Sequence, residues 1–260
     1  MPRPGYHAAM TLPLTILTGA SRGMGLAMAR QLLLPGHTLL TLSRQIPDGL
    51  AAQAQAQGAT LLAWSQDLAD GAAAAGRLGD WLASQPADAF ASATLINNAG
   101  VIPRIGPLRD ADPDDLAHAL RVGLEAPMVL TAAFLHATAS WPCPRKVLNI
   151  SSGLGRRAMA SQAGYCAAKA GMDHFTRCLA LEEALKPHGA KVCSLAPGVI
   201  DTDMQVQLRG AGSAAFPDIG NFIGLKDKGL LTRPDAAAGQ VLAFLQRPDF
   251  GANPVADVRD

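Results

Sequence analysis

Short apolar runs alternate with longer amphipathic stretches along the chain. Six runs rich in Leu, Ile, Val and Thr, over residues 15–18, 38–43, 60–64, 94–97, 146–151 and 191–196, have the length of strands. Apolar residues on consecutive positions at that length predict strands buried on both faces, as in a parallel sheet. A seventh strand is expected near 253–258. Between these runs, helical spacing predicts helices over 25–34, 71–84, 113–139, 161–186 and 234–246. The Ala/Gln-rich residues 51–57 read as a surface helix. Regular strand–helix alternation implies an α/β fold, a doubly wound parallel sheet with helices on both faces, as one domain over residues 1–260. Residues 201–229 interrupt the pattern with glycines and Pro217, and they read as a mobile lid.

Composition narrows the function. Hydrophobic residues make up 49% and charged residues 17%, enough to bury a large core, and the net charge of +1 argues against nucleic acid or an anionic membrane as partner. The most apolar helix candidate, 126–141, is short for a bilayer span and contains His136. Cys143, Cys166, Cys178 and Cys193 show no paired spacing, which suits a reducing cytoplasm. Residues 1–10 lack the apolar centre of a secretory segment. The six histidines have no metal-ligand spacing, so no metal is expected, and His118, His136 and His174 read as core or surface residues.

Candidate chemistry starts where the first strand meets a helix. The junction reads Thr18-Gly19-Ala20-Ser21-Arg22-Gly23-Met24-Gly25. Glycines there let the backbone approach a pyrophosphate, and the helix N-terminus offers free N–H groups and partial positive charge. Further on, Tyr165 and Lys169 are four apart, hence on one face of a helix, with Ser152 upstream at the end of an apolar run. A nearby ammonium pulls a tyrosine pKa down, and a tyrosine so tuned exchanges a proton with an alcohol or ketone.

Taken in order, these motifs resemble the short-chain dehydrogenase/reductase family over nearly the whole chain, which implies a Rossmann-like fold. Thr18 to Gly25 resembles the family's cofactor loop, and Asn97-Asn98-Ala99-Gly100 its element after the fourth strand. Ser152, Tyr165 and Lys169 match its catalytic trio, and Pro197-Gly198-Val199-Ile200-Asp201-Thr202 its element beside the nicotinamide. The resemblance implies cofactor contacts from Gly19, Ser21, Arg22, Gly23, Met24, Gly25, Asn98, Ala99, Gly100, Tyr165, Lys169, Pro197, Gly198, Val199, Ile200 and Thr202. It also implies that Asp67, followed by Leu68, hydrogen-bonds the adenine. One departure stands out: Val122-Gly123-Leu124 carries glycine where the family has an asparagine that holds a water beside the lysine. A narrower resemblance, in the C-terminal third, is to sepiapterin reductases and related bacterial benzil reductases. It gives Asp257 either the role of anchoring an amino-pyrimidine ring or none beyond that of a solvated tail residue.

Cofactor choice reads from the end of the second strand. An NAD site usually offers an acid there. This chain offers Ser43 and Arg44, with Arg22 from the loop, and two guanidinium groups suit a 2′-phosphate. The expectation is an NADPH-dependent carbonyl reductase of vicinal dicarbonyls, with Ser152, Tyr165 and Asp257 against the substrate. By resemblance it forms a homodimer or homotetramer through the helices at 113–139 and 161–186. The alternative is a nucleotide-binding sensor or scaffold with weakened catalysis, for which Gly123 is the motive.

Overall fold

The computed structural model describes residues 12–260; residues 1–11, and with them the amino-terminal stretch read above, lie outside the described residues. The strands are β1 (Leu12–Thr18), β2 (Thr38–Ser43), β3 (Thr60–Ser65), β4 (Phe90–Asn97), β5 (Arg145–Ile150), β6 (Lys191–Ala196) and β7 (Val255–Asp257). They form one seven-stranded sheet in the order β3-β2-β1-β4-β5-β6-β7, and every pairing is parallel. The helices are α1 (Gly23–Leu32), α2 (Leu50–Gln57), α3 (Gly71–Ala83), α4 (Pro113–Leu120), α5 (Ala126–Ala137), α6 (Ala163–Ala184), α7 (Asp203–Arg209), α8 (Ile219–Asp227) and α9 (Pro234–Gln246).

Two cores follow from the alternation of side chains along the strands. On one face Leu17, Leu39, Leu148 and Leu195 pack against Met28 and Leu32 of α1 and Val241 and Leu245 of α9. On the other, Leu14, Ile16, Leu40 and Val147 pack against Leu78, Leu130, Phe134 and Leu179 of α3, α5 and α6. Full burial of one such side chain contributes about 1.5–3 kcal/mol. That is why the Ala- and Gly-rich α3 holds its place through Leu78 and Leu82, both fully buried. Between β4, β5, α5 and α6 the core is polar and joined by side-chain hydrogen bonds, with Asn97 Oδ1 left unpartnered. Asn97 Nδ2 donates to Thr131 Oγ1 and Asn149 Oδ1, and Asn149 Nδ2 donates to Thr176 Oγ1.

Three expectations change. The single helix over 113–139 is α4 and α5 joined by a π-helical turn, Arg121–Glu125. Pro127 has no N–H for the carbonyl of residue 123, and a widened turn carries the helix past that gap. The combined run Pro113–Ala137 spans 25 residues and is long and apolar enough, by length and composition alone, to cross a membrane; 44% of its most apolar window is buried inside the fold. The segment read as a lid without regular structure contains α7 and α8. Its base is closed by a parallel bridge between Ile200 and Thr232, and packing of Phe216 on Phe222 (ring centroids 5.4 Å apart) fixes helices that a glycine-rich sequence does not announce.

Candidate active site

The motifs sit at the C-terminal ends of β1, β4, β5 and β6. β1 and β4 are neighbours although β2 and β3 lie between them in sequence, so the winding reverses there and opens a crevice. The glycine turn and the Asn98 segment form one structure across it. Thr18 Oγ1 accepts the N–H groups of Asn98 (2.9 Å) and Ala99 (3.0 Å), while Asn98 Nδ2 donates to the carbonyls of Thr18 (3.0 Å) and Gly19 (3.2 Å). Gly19 has φ +71°, and a Cβ on it would lie 2.8 Å from Ala99 Cα. A Cβ on Gly25 would lie 2.5 Å from Asn98 Nδ2. Only glycine fits these approaches. At the N-terminus of α1 no side chain caps the helix, so its first amide groups are open to an anion.

A cavity of about 750 Å³ runs from this turn to the trio, and every site residue read from the sequence borders it. At one end lie Arg22, Ser43 and Arg44. Ser43 Oγ accepts the Ala20 N–H (2.8 Å), which ties β2 to the glycine turn. Arg22 is paired across the cavity with Asp203 of α7 (3.1 Å), both side chains largely exposed. Asp67 accepts the Ala69 N–H (2.9 Å), and Leu68 is buried beside it. Thr202 packs against the turn: a Cβ on Gly23 would meet its Cγ2 at 3.4 Å.

At the other end, Ser152 follows β5 and opens a 3₁₀ turn, Gly153–Gly155, with its Oγ accepting the Leu154 N–H (3.2 Å). Tyr165 lies in the first turn of α6, and the Ser152 hydroxyl beside it favours the ionised phenol. Lys169, one turn on, is 4% exposed and donates to the Ile150 carbonyl (2.7 Å); its Nζ lies 5.8 Å from the Tyr165 ring centroid. This corrects the expected tuning of the tyrosine. Burial pushes Tyr165 up to about 12, outweighing the Ser152 hydroxyl, and pushes Lys169 down to about 8 against the attraction of Asp173. Burial dominates, so the net effect on the phenol is upward. At neutral pH Tyr165 is a protonated phenol.

A glycine cradle joined by a 750 Å³ cavity to a buried Ser–Tyr–Lys cluster can hold a dinucleotide and bring a proton donor to a carbonyl. The family model of the short chain dehydrogenases matches residues 14–211. The chain belongs to the short-chain dehydrogenase family. It is 34% identical over 235 residues to a benzil reductase ((S)-benzoin forming) of Bacillus cereus, covering 90% of this chain and 94% of that one. It is 33% identical over 250 residues to a sepiapterin reductase of Xenopus tropicalis, covering 90% of this chain and 91% of that one. A solved metagenomic short-chain oxidoreductase in complex with NADP superposes with a TM-score of 0.70 at 26% identity, covering 95% and 96% of the two chains. This short-chain dehydrogenase is therefore a Rossmann-fold oxidoreductase acting on carbonyl and hydroxyl groups, of a family that binds nicotinamide cofactors.

Two predicted positions of this dehydrogenase look different in three dimensions. Asp257 faces the cavity but is neither an open anchor nor a solvated tail residue. Arg259 grips it through two 2.6 Å hydrogen bonds, and that guanidinium holds the carboxyl below its ordinary range. Gly123 is buried in the π-helical turn, where a Cβ would stand 3.3 Å from the Cβ of Ala168, next to Lys169. α6 thus lies close against the place of the family's asparagine. Sequence reasoning missed His118, Gln162 and Gln205, which also border the cavity. Gln162 is 2% exposed and neither end of its carboxamide has a partner; Gln205 is 7% exposed with an unpartnered Oε1. Ser161, before Gln162, has φ +63° and donates to the Ala215 carbonyl in the lid segment (2.6 Å). Gln162 lies three residues before Tyr165 and Gln205 three after Thr202, within the stretches that carry the motifs, but nothing in the sequence marks either glutamine as buried and unpartnered.

Proposed function

We propose that the protein is an NADPH-dependent carbonyl reductase that delivers hydride to one ketone of a vicinal dicarbonyl, with Tyr165 as proton donor. The observation that carries this reading is that Ser152, Tyr165 and Lys169 line the same cavity as the glycine turn. When bound, a reduced nicotinamide supplies the hydride. Ser152 Oγ–H and the Tyr165 phenol both donate to the substrate carbonyl oxygen and polarise it. As that oxygen gains charge, Tyr165 passes its proton to it. Lys169, held by the Ile150 carbonyl, then faces the phenolate and stabilises it until a proton returns.

Arg44 just past the end of β2, where no acid stands, and Arg22 from the glycine turn support NADPH over NADH. The relative solved with NADP agrees with that preference. The substrate end is walled by Ile102, Leu208 and Phe222, which suits an aryl or otherwise apolar diketone. The unpartnered Gln162 amide supplies a donor for a second carbonyl. Benzil and sepiapterin reductases among the relatives fit a substrate of that kind. Gly123 favours a second reading, a nucleotide-binding sensor without turnover, but a sensor has no need of Ser152, Tyr165 and Lys169 together on the cavity.

Exposed Met128 on α5, Leu181 on α6 and Leu185 just past its end (44%, 73% and 87%) support a homodimer or homotetramer built on those helices. The four free thiols suit a reducing cytoplasm. The deciding experiment follows NADPH consumption with a panel of diketones. Turnover of benzil or sepiapterin is expected; NADPH binding without turnover of any diketone would favour the sensor.

A further inference from the structure

Lys169 faces a buried carboxylate that no part of the proposed reaction uses. Asp173 lies four residues further along α6, hence one turn away on the same face, and is 2% exposed. A carboxylate this deep needs partners. Ser194 Oγ in β6 donates to Oδ1 (2.6 Å), and Arg156 Nε stands 3.3 Å from Oδ2, near enough for an ion pair but out of line for a hydrogen bond. Arg156 ends the 3₁₀ turn opened by Ser152, and its Nη2 donates to the Ala256 carbonyl in β7 (2.8 Å). The Ser152 turn rests directly on α6 here: a Cβ on Gly155 would come within 2.8 Å of Asp173 Oδ2 and 2.9 Å of the Lys169 carbonyl.

We infer that Asp173 is a positioning residue for the Tyr165–Lys169 pair: its buried carboxylate keeps Lys169 charged, and Arg156 limits how strongly Lys169 feels it. Of the groups around Lys169, the carboxylate of Asp173 opposes burial. Tyr165 is neutral at physiological pH, and so is Cys193, whose buried thiol is pushed up to about 12 beside Asp173 and Arg156. The charges that face Lys169 are thus one anion, Asp173, and behind it one cation, Arg156. Asp173 also joins the four segments that meet at the site, namely the Ser152 turn, α6, β6 and, through Arg156, β7.

The inference rests on the reductase reading, and its test is the pH dependence of kcat/KM for diketone reduction at saturating NADPH. Activity is expected to fall at alkaline pH as the Tyr165–Lys169 pair loses a proton. Asp173→Asn removes the anion, so both members of the pair lose protons more easily. The alkaline limb is expected to move down by about one pH unit or more, the size of an opposite charge at this range. Arg156→Gln removes the cation and is expected to move the limb up. A role confined to holding the fold would lower rate and melting temperature in both variants and leave both limbs with the parent's. That result, or a limb that moves down in Arg156→Gln, overturns the inference. If Asp173→Asn does not fold, Arg156→Gln carries the sign test alone, since the Arg156 side chain is 31% exposed. Failure of the reductase reading shows differently, as a parent enzyme that oxidises no NADPH.

Discussion

On the proposed reading, the 2′-phosphate of NADPH draws Arg22 away from Asp203, and the size of that effect can be worked out. Arg22 and Asp203 are 69% and 71% exposed at their side chains, so their ion pair is of the kind that contributes about 0–1 kcal/mol. A charge-assisted contact from a guanidinium to the 2′-phosphate contributes about 1.5–3 kcal/mol. Arg44 makes no ion pair among the described residues, so Arg44→Ala should lose that whole contribution, about 10- to 150-fold in the NADPH dissociation constant. Arg22→Ala loses the same contact but no longer has to break the pair, so its penalty should be smaller by up to about 1 kcal/mol. Asp203→Ala should do the opposite and tighten NADPH by up to about five-fold, because it frees Arg22 and removes a carboxylate near the phosphate. NADH has no 2′-phosphate, and its affinity should stay near the parent's in all three variants. Fluorescence titration of both nucleotides at low and high salt measures these effects, and the NADPH differences should shrink as salt rises. Equal losses for NADPH and NADH, or weaker NADPH binding in Asp203→Ala, would refute the reasoning.

Gly123→Asn should lower the melting temperature, since overpacking against Ala168 at 3.3 Å costs about 1–3 kcal/mol; unchanged stability in thermal denaturation would mean that the π-helical turn has room for the side chain. Arg259→Ala releases the Asp257 carboxylate into the cavity and should lower the Michaelis constant for sepiapterin while leaving that for benzil unchanged; a rise for sepiapterin would mean that the pair serves the fold. Gln162→Leu should raise the Michaelis constant for diketones by about five-fold or more relative to simple aryl ketones, because only the diketone offers a second carbonyl to the Gln162 amide; equal changes for both classes would remove it from substrate recognition.

The motifs were legible because each is local in sequence and each has a local physical cause. Alternating apolar runs place β2 and β6 to the residue, and the glycine turn, Asn98 segment and trio fall at strand ends where the winding reverses. What could not be read depends on neighbours distant along the chain. The proton affinity of Tyr165 is set mainly by burial, which a four-residue spacing does not reveal. Asp257 and Arg259 are visible two residues apart, but only the turn after β7 brings their side chains together. α8 is a helix because Phe222 packs on Phe216, not because of its own propensity. Gln162 reads as an ordinary polar residue until the fold buries it without a partner.

The central claim is that the Tyr165 phenol gives the proton that completes carbonyl reduction. The most direct measurement is single-turnover oxidation of bound NADPH by benzil in Tyr165→Phe beside the parent, with NADPH affinity determined on the same samples. Tyr165→Phe is expected to bind NADPH nearly as tightly as the parent and to reduce the diketone about 10²- to 10⁴-fold more slowly, the size of a lost general acid. A phenylalanine variant that reduces benzil at close to the parent's rate would contradict that claim.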